Sequence, residues 1–172
     1  MTTSNLFVDT WGEGPRVVLV HGSLAVGADE WQAQRPLADE GFRLLVPDRR
    51  GYGQSPAAGG EDFLRDAGDI LELMGDRAHL VGHSYGGLGV LFAAARRPGE
   101  EHPHDRTSPP AGLLPAWSPA SRSLAQSVLR RAPTQRFGWP IICVAPWSSD
   151  PEGGSPMRVR VSTDVTSRAA MR

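Results

Sequence analysis

The 172-residue chain contains no lysine and a single cysteine, Cys143. A lone cysteine excludes an internal disulfide framework and fits a reducing compartment. No histidine lies near Cys143 in the sequence, so no thiol nucleophile is expected there. Long apolar runs are missing as well. No window approaches the roughly 20 apolar residues of a membrane-spanning helix. The stretch Met1 to Asp9 lacks both the basic start and the continuous apolar run of a signal peptide. Excess charge of either sign is absent too: the formal net charge of −1 gives no bulk attraction to nucleic acid or to a membrane surface. Trp117, Trp139 and Trp147 are too scattered for a basic arm that stacks on bases. There is no internal repeat. These absences leave a soluble, cytoplasmic chain of at most one domain, long enough to bury a real core.

What is present divides at a seam. Residues 1–100 hold 9 arginines against 14 acids, whereas residues 101–172 hold 9 against 5. Prolines divide 5 and 10 across the same boundary, although the second part is the shorter. The first part alternates strand and helix. Leu6 to Trp11 reads as a short strand before the turn Gly12-Glu13-Gly14-Pro15. Arg16 to Val20 and Phe42 to Val46 are continuous apolar runs, the mark of strands covered on both faces of a parallel sheet. The segment between them, with Trp31 and Leu37, is expected to be helical and to restart at Pro36 as a first-turn proline. Glu61 to Met74 is the clearest helix: Phe63, Ala67, Ile70, Leu71 and Met74 make one stripe, acids open it and Gly75 closes it. Ala78 to Gly82 is another buried strand, and Tyr85 to Arg97 a helix stopped by Pro98-Gly99. This order predicts an α/β/α three-layer fold around a parallel sheet. After Gly99 the order is lost. Residues 101–172 form an irregular Pro/Ser/Arg-rich tail, with a helix over Ser121 to Arg131 and strands over Pro140 to Val144 and Met157 to Val161 as its only candidates.

Three short motifs carry the chemistry. Gly82-His83-Ser84-Tyr85-Gly86 matches G-x-S-x-G, with a strand before it and a helix after it. A sharp strand-to-helix turn of this kind exposes the serine oxygen and aims the free N–H groups of the helix start at the reacting atom. Gly82 and Gly86 are needed because neighbouring backbone comes too close for a Cβ. Ser84 is the candidate nucleophile. His21-Gly22-Ser23 follows the strand Arg16 to Val20 and lies beside that turn, so the Ser23 and Tyr85 N–H groups form a candidate pair of oxyanion donors. Pro47-Asp48-Arg49-Arg50-Gly51-Tyr52-Gly53-Gln54-Ser55 reads as a glycine-punctuated turn, braced by Asp48 and an arginine.

In this order and spacing the three motifs resemble the α/β-hydrolase superfamily, near its esterase, haloperoxidase-like and carbon–carbon hydrolase branches. The resemblance covers about residues 5 to 100. It implies an eight-stranded, mostly parallel sheet, here truncated after the nucleophile helix. It implies Ser84 as nucleophile, His21, Gly22, Asp48, Gly82, His83 and Gly86 as structural motif positions, and a small acyl substrate, most readily an ester. No metal and no organic cofactor are implied. Serine at residue 84 argues against the dehalogenase and epoxide-hydrolase branches, which use aspartate there.

The family order is serine, then acid, then histidine, and here the pattern breaks. The last histidine is His104. His102 follows a helix that leads away from Ser84, and eighteen residues of helix would carry it up to about 27 Å off. Asp105, Asp150 and Asp164 do not end convincing strands. One permitted set of codons for Glu101 to Pro109, read one base later, spells Ser-Ile-Arg-Thr-Ile-Glu-Pro-Pro, a strand-like sequence. A frame slip near Gly99 to Glu101 would explain the charge change, the proline excess and the absent histidine together. The sequence therefore predicts a serine hydrolase with an incomplete triad. The alternative is an inactive, truncated or frameshifted remnant or binding fragment, self-associating through an open sheet edge, since Arg16–Val20 and Ala78–Gly82 each expect neighbours on both sides.

Overall fold

The computed structural model describes residues 5–57, 59–75, 77–96, 123–124, 126–128, 131, 141–148 and 159–162. Among the described residues six strands form one sheet: β1 (Val8–Trp11), β2 (Arg16–Val20), β3 (Arg43–Pro47), β4 (Arg77–His83), β5 (Ile141–Ser148) and β6 (Val159–Ser162). Its helices include α1 (Gly27–Trp31), α2 (Phe63–Met74) and α3 (Tyr85–Ala95), and a 3-10 helix covers Gln32–Ala38. The spatial order is β1-β3-β2-β4-β5-β6.

Strand β2 sits at the centre because every residue from Val17 to Val20 is apolar, so both faces can be covered. Its side chains alternate. Val17 and Leu19 join Leu44, Val46 and Val81 beneath Trp31 and Leu37 on one face. Val18 and Val20 join Leu45, Ala78 and Leu80 on the other, against Ala67, Ile70 and Met74 of α2 and Val90, Ala93 and Ala94 of α3. Each fully buried Val or Leu contributes roughly 1.5–3 kcal/mol, which makes this double-sided strand the keel of the fold. Three layers result, as the sequence predicts.

Several expectations need correction. The sheet is mixed, not parallel throughout. Only β3, β2 and β4 run parallel; β1 is antiparallel to β3, β5 to β4, and β6 to β5. The four-residue turn between β1 and β2 is far too short for a parallel crossover, which needs a dozen residues or more, so the chain can only reverse. Strand β4 has the neighbour on each side that its apolar run calls for, because β5 pairs along the side away from β2. Pro36 does not begin an α-helix. Its ring would clash with the carbonyl of Gln32 and its nitrogen cannot donate there, so the chain winds more tightly, with Pro36 inside the 3-10 helix.

The seam does not end the packing. Residues 123–124, 126–128 and 131 are helical, within the predicted stretch Ser121 to Arg131. Leu124 and Val128 are buried in the first core cluster. The Gln34 side chain donates to the Val128 carbonyl at 3.2 Å, and Arg131 pairs with Glu40. Among the described residues no helix is long and apolar enough to cross a membrane.

Candidate active site

Strand β4 runs directly into Ser84, and α3 begins at the next residue. The turn is paid for in backbone strain. Ser84 has φ 53° and ψ −121°, and it is the one non-glycine residue with positive φ among the described residues. The compression around it explains both flanking glycines. A Cβ on Gly82 would lie 2.5 Å from the Gly86 carbonyl oxygen, and one on Gly86 would collide with the carbonyl oxygens of Val20 and His21. A Cβ on Gly22 would sit 3.3 Å from the Ser84 Cβ, so the turn after β2 lies against the serine. At the start of α3 the Tyr85 N–H, in the first turn, has no intrahelical acceptor. No hydrogen bond to the Ser84 hydroxyl is formed among the described residues.

His21 is a buried scaffold residue. The Arg49 backbone N–H donates to its Nε2 at 2.9 Å, which leaves the ring proton on Nδ1, and Nδ1 donates to the Gly22 carbonyl at 2.6 Å. Burial lowers the His21 pKa below 6.5; the nearby Arg49 charge acts in the same direction, and the Gly22 hydrogen bond opposes it. The imidazole is held neutral. His83 turns its Nδ1 to Glu30 Oε1 at 3.0 Å, and the same carboxylate accepts the Gly22 N–H at 3.2–3.3 Å. Among the described residues His83 Nε2 and the Tyr85 hydroxyl are buried without hydrogen-bond partners. Burial, with help from Asp66 and Glu61, pushes the Tyr85 pKa up to about 12, so the phenol stays neutral.

Asp48 braces its turn through the backbone, not through an arginine. Its two oxygens accept the N–H groups of Gly27 and Gln54, each at 2.9 Å. The arginines go elsewhere. Arg50 forms a bidentate pair with Asp69 (2.7 and 2.8 Å), and Arg49 pairs with Asp66 at 3.1 Å. Burial raises the Asp66 pKa despite the attraction of Arg49. Arg49 is almost wholly buried, between the rings of Tyr52 (4.6 Å) and Tyr85 (4.2 Å). Glu61 accepts from the Ser23 hydroxyl (2.8 Å) and the Tyr52 hydroxyl (3.0 Å). Partial desolvation alone would raise its pKa, but these bonds and Arg49 bring it below the ordinary value.

The structure thus brings together Ser84, Tyr85, Gly82, His83, Gly86, His21, Gly22 and Ser23 at one end of the central strands, with Asp48 supporting them from the adjoining turn. It does not bring His79 in: that residue lies five positions before Ser84 on β4, roughly 16 Å along the strand, with its ring against Phe42. His102, His104, Asp105, Asp150 and Asp164 lie outside the described residues. Sequence reasoning missed Glu30, Glu61 and the structural weight of Arg49. For Arg49 a signal existed: Asp66 and Asp69 fall beside the apolar stripe of α2, and a buried acid needs a cation. In a chain without lysine that cation must be arginine.

A three-layer sheet with a strained serine between a buried strand and a glycine-rich helix start defines the α/β-hydrolase class. The chain belongs to the alpha/beta hydrolase fold family, which it matches over residues 15–102, just over half its length. It is 37% identical over 94 residues to a pimeloyl-[acyl-carrier protein] methyl ester esterase from Methylococcus capsulatus, covering 55% of this chain and 37% of that one. It is 40% identical over 88 residues to a non-heme chloroperoxidase from Kitasatospora aureofaciens, covering 48% and 32%. Among solved structures it resembles an epoxide hydrolase from Vigna radiata, with TM-score 0.52, 29% identity, and coverage of 56% and 35%. The chain spans about a third of the length of the curated relatives it matches. The relatives are enzymes, and the family is a hydrolase family.

Proposed function

We propose that the chain carries the nucleophile half of a serine hydrolase acting on a small acyl ester. The observation that carries this reading is the positive φ of Ser84 at the β4–α3 turn. Strain of about 1–3 kcal/mol persists where the surroundings over-determine it, and such sites cluster where chemistry is done. Ser84 would attack the ester carbonyl, and the Ser23 and Tyr85 N–H groups would hold the oxygen as it becomes negative. The alcohol leaves with a proton, and water then releases the acid from the serine ester. Esterase relatives support the substrate class, and serine at residue 84 disfavours epoxide chemistry.

A second reading is favoured by the histidines. None follows His104, so the base that the family places late in the chain has no counterpart at that position. On this reading the chain is an inactive remnant or binding fragment, and 101–172 is an out-of-frame tail. The end of the family match at residue 102, beside the seam, supports it. Without a base, only the residual catalysis of binding and oxyanion stabilisation is left, well below that of an intact triad. The partner expectations remain as proposed: a small acyl substrate, no nucleic acid, no membrane, and self-association through an outer strand.

A fluorophosphonate probe separates the two readings. Labelling of the folded chain that Ser84→Ala abolishes supports the hydrolase. Folded protein that takes up no probe supports the remnant.

A further inference from the structure

The turn after β2 contains two consecutive peptide groups whose polar atoms are nearly all committed. In the first, the His21 carbonyl accepts from Arg49 Nε at 3.1 Å, and the Gly22 N–H donates to the Glu30 carboxylate. In the second, the Gly22 carbonyl accepts from Arg49 Nη2 at 3.3 Å and from His21 Nδ1 at 2.6 Å. Only the fourth group, the Ser23 N–H, has no hydrogen bond to another described residue. A trans peptide is planar, with its C=O and N–H pointing in opposite directions. Fixing the Gly22 oxygen from two sides therefore fixes where the Ser23 N–H points. Loading that oxygen with a cationic donor also polarises the amide and strengthens the N–H as a donor.

Arg49 reaches the other donor too. Its guanidinium lies 4.2 Å from the Tyr85 ring centroid, and that ring also stacks on Phe63 at 4.3 Å and 21°. Tyr85 is the first residue of α3, and its N–H has no hydrogen bond to another described residue. We propose that Arg49 is the positioning residue of the oxyanion-binding turn, holding the Ser23 N–H through the Gly22 carbonyl and the Tyr85 N–H through its ring. The assignment rests on the reading of these two N–H groups as an oxyanion site. Arginine is required because one planar fork must reach two carbonyls, two carboxylates and two aromatic faces together. Ion pairs with Asp66 and Glu61 neutralise the buried guanidinium, while the two carbonyls and the two rings set its orientation.

The test uses the full-length chain with two variants, Arg49→Lys and the pair Arg49→Met with Asp66→Asn, the latter avoiding an orphaned buried acid. Asp66→Asn alone is the control. Two quantities are measured: the 15N order parameter of the Ser23 amide, and the kinetics of fluorophosphonate labelling at Ser84. In both Arg49 variants the Ser23 order parameter is expected to fall from the rigid value of about 0.85 toward 0.6, with Val18 unchanged. The maximal labelling rate is expected to drop at least about 10-fold, while the half-saturating probe concentration stays the same. An unchanged Ser23 amide in a folded Arg49 variant overturns the inference, as does an equal loss in Asp66→Asn alone. If the wild-type chain takes no probe but Ser23 still loosens when Arg49 is replaced, the positioning role stands and the serine-hydrolase reading falls.

Discussion

Ser84 is held in a conformation that glycine adopts freely and serine does not. The strain of the elbow belongs to the backbone, so a change of side chain alone does not remove it. Ser84→Gly is expected to raise stability by about 1 kcal/mol, the relief of strain exceeding the added entropy of the unfolded chain. For a chain of this size that is a rise in Tm of roughly 2–4 °C, readable by calorimetry against Ser84→Ala. A glycine variant melting below the alanine variant would show that the bend is not strained. His21 makes a second residue-scale prediction. Its folded pKa lies below the 6.5 of the unfolded chain, so the unfolded state binds the extra proton first and stability falls as pH drops below 6.5. Protonation also destroys the acceptor that Nε2 offers to the Arg49 N–H. Denaturant titrations across this interval are expected to show a shallower acid slope for His21→Gln than for the wild type. Ser84 and its glycines are legible from the sequence because their spacing follows from backbone geometry alone. The partners of Arg49, Glu30 and Glu61 are not, because they come from other elements and no local pattern joins them.

The elements were legible in proportion to how much of their structure is local. Helix α2 declares itself through its apolar stripe, and Asp62 caps it by accepting from the N–H groups of Leu64 and Arg65. Its far end is closed in a way no local reading finds: Arg16 on β2 donates to the Met74 carbonyl at 3.2 Å. The 3-10 helix is not announced by the sequence, because Pro36 looks the same in a first turn and in a tight interior turn. In the tail, the helix over Ser121 to Arg131 was a bare candidate, and nothing in its sequence says that it docks. The structure places Leu124, only 3% exposed, in the core with Leu19 and Trp31. Leu124→Ala is therefore expected to cost about 2–5 kcal/mol in equilibrium unfolding. A loss below roughly 0.5 kcal/mol, ordinary for a surface change, would mean that the segment is not part of the core.

At the scale of the whole molecule, a parallel centre is flanked by antiparallel strands. The centre was readable from the sequence, since only strands buried on both faces are apolar throughout, as in Arg16–Val20. The flanks were not, because strand direction is set by connection length and by partners distant in sequence. The pairing of β5 with β4 joins residues 58 to 71 positions apart, from His83 with Ile141 to Arg77 with Ser148, across the compositional seam. That pairing covers β4, and the outermost of the described strands are β1 and β6. The half of the fold that resembles the family is thus closed by its own chain, and the end of β4 where Ser84 stands is supported on both sides. The most direct measurement of the central claim is a crystal structure of the chain after reaction with a fluorophosphonate. The account predicts one adduct, on Ser84, with a phosphonyl oxygen accepting hydrogen bonds from the Ser23 and Tyr85 N–H groups at about 2.7–3.1 Å. An adduct on another residue, or one on Ser84 whose oxygen faces away from both N–H groups, would contradict it.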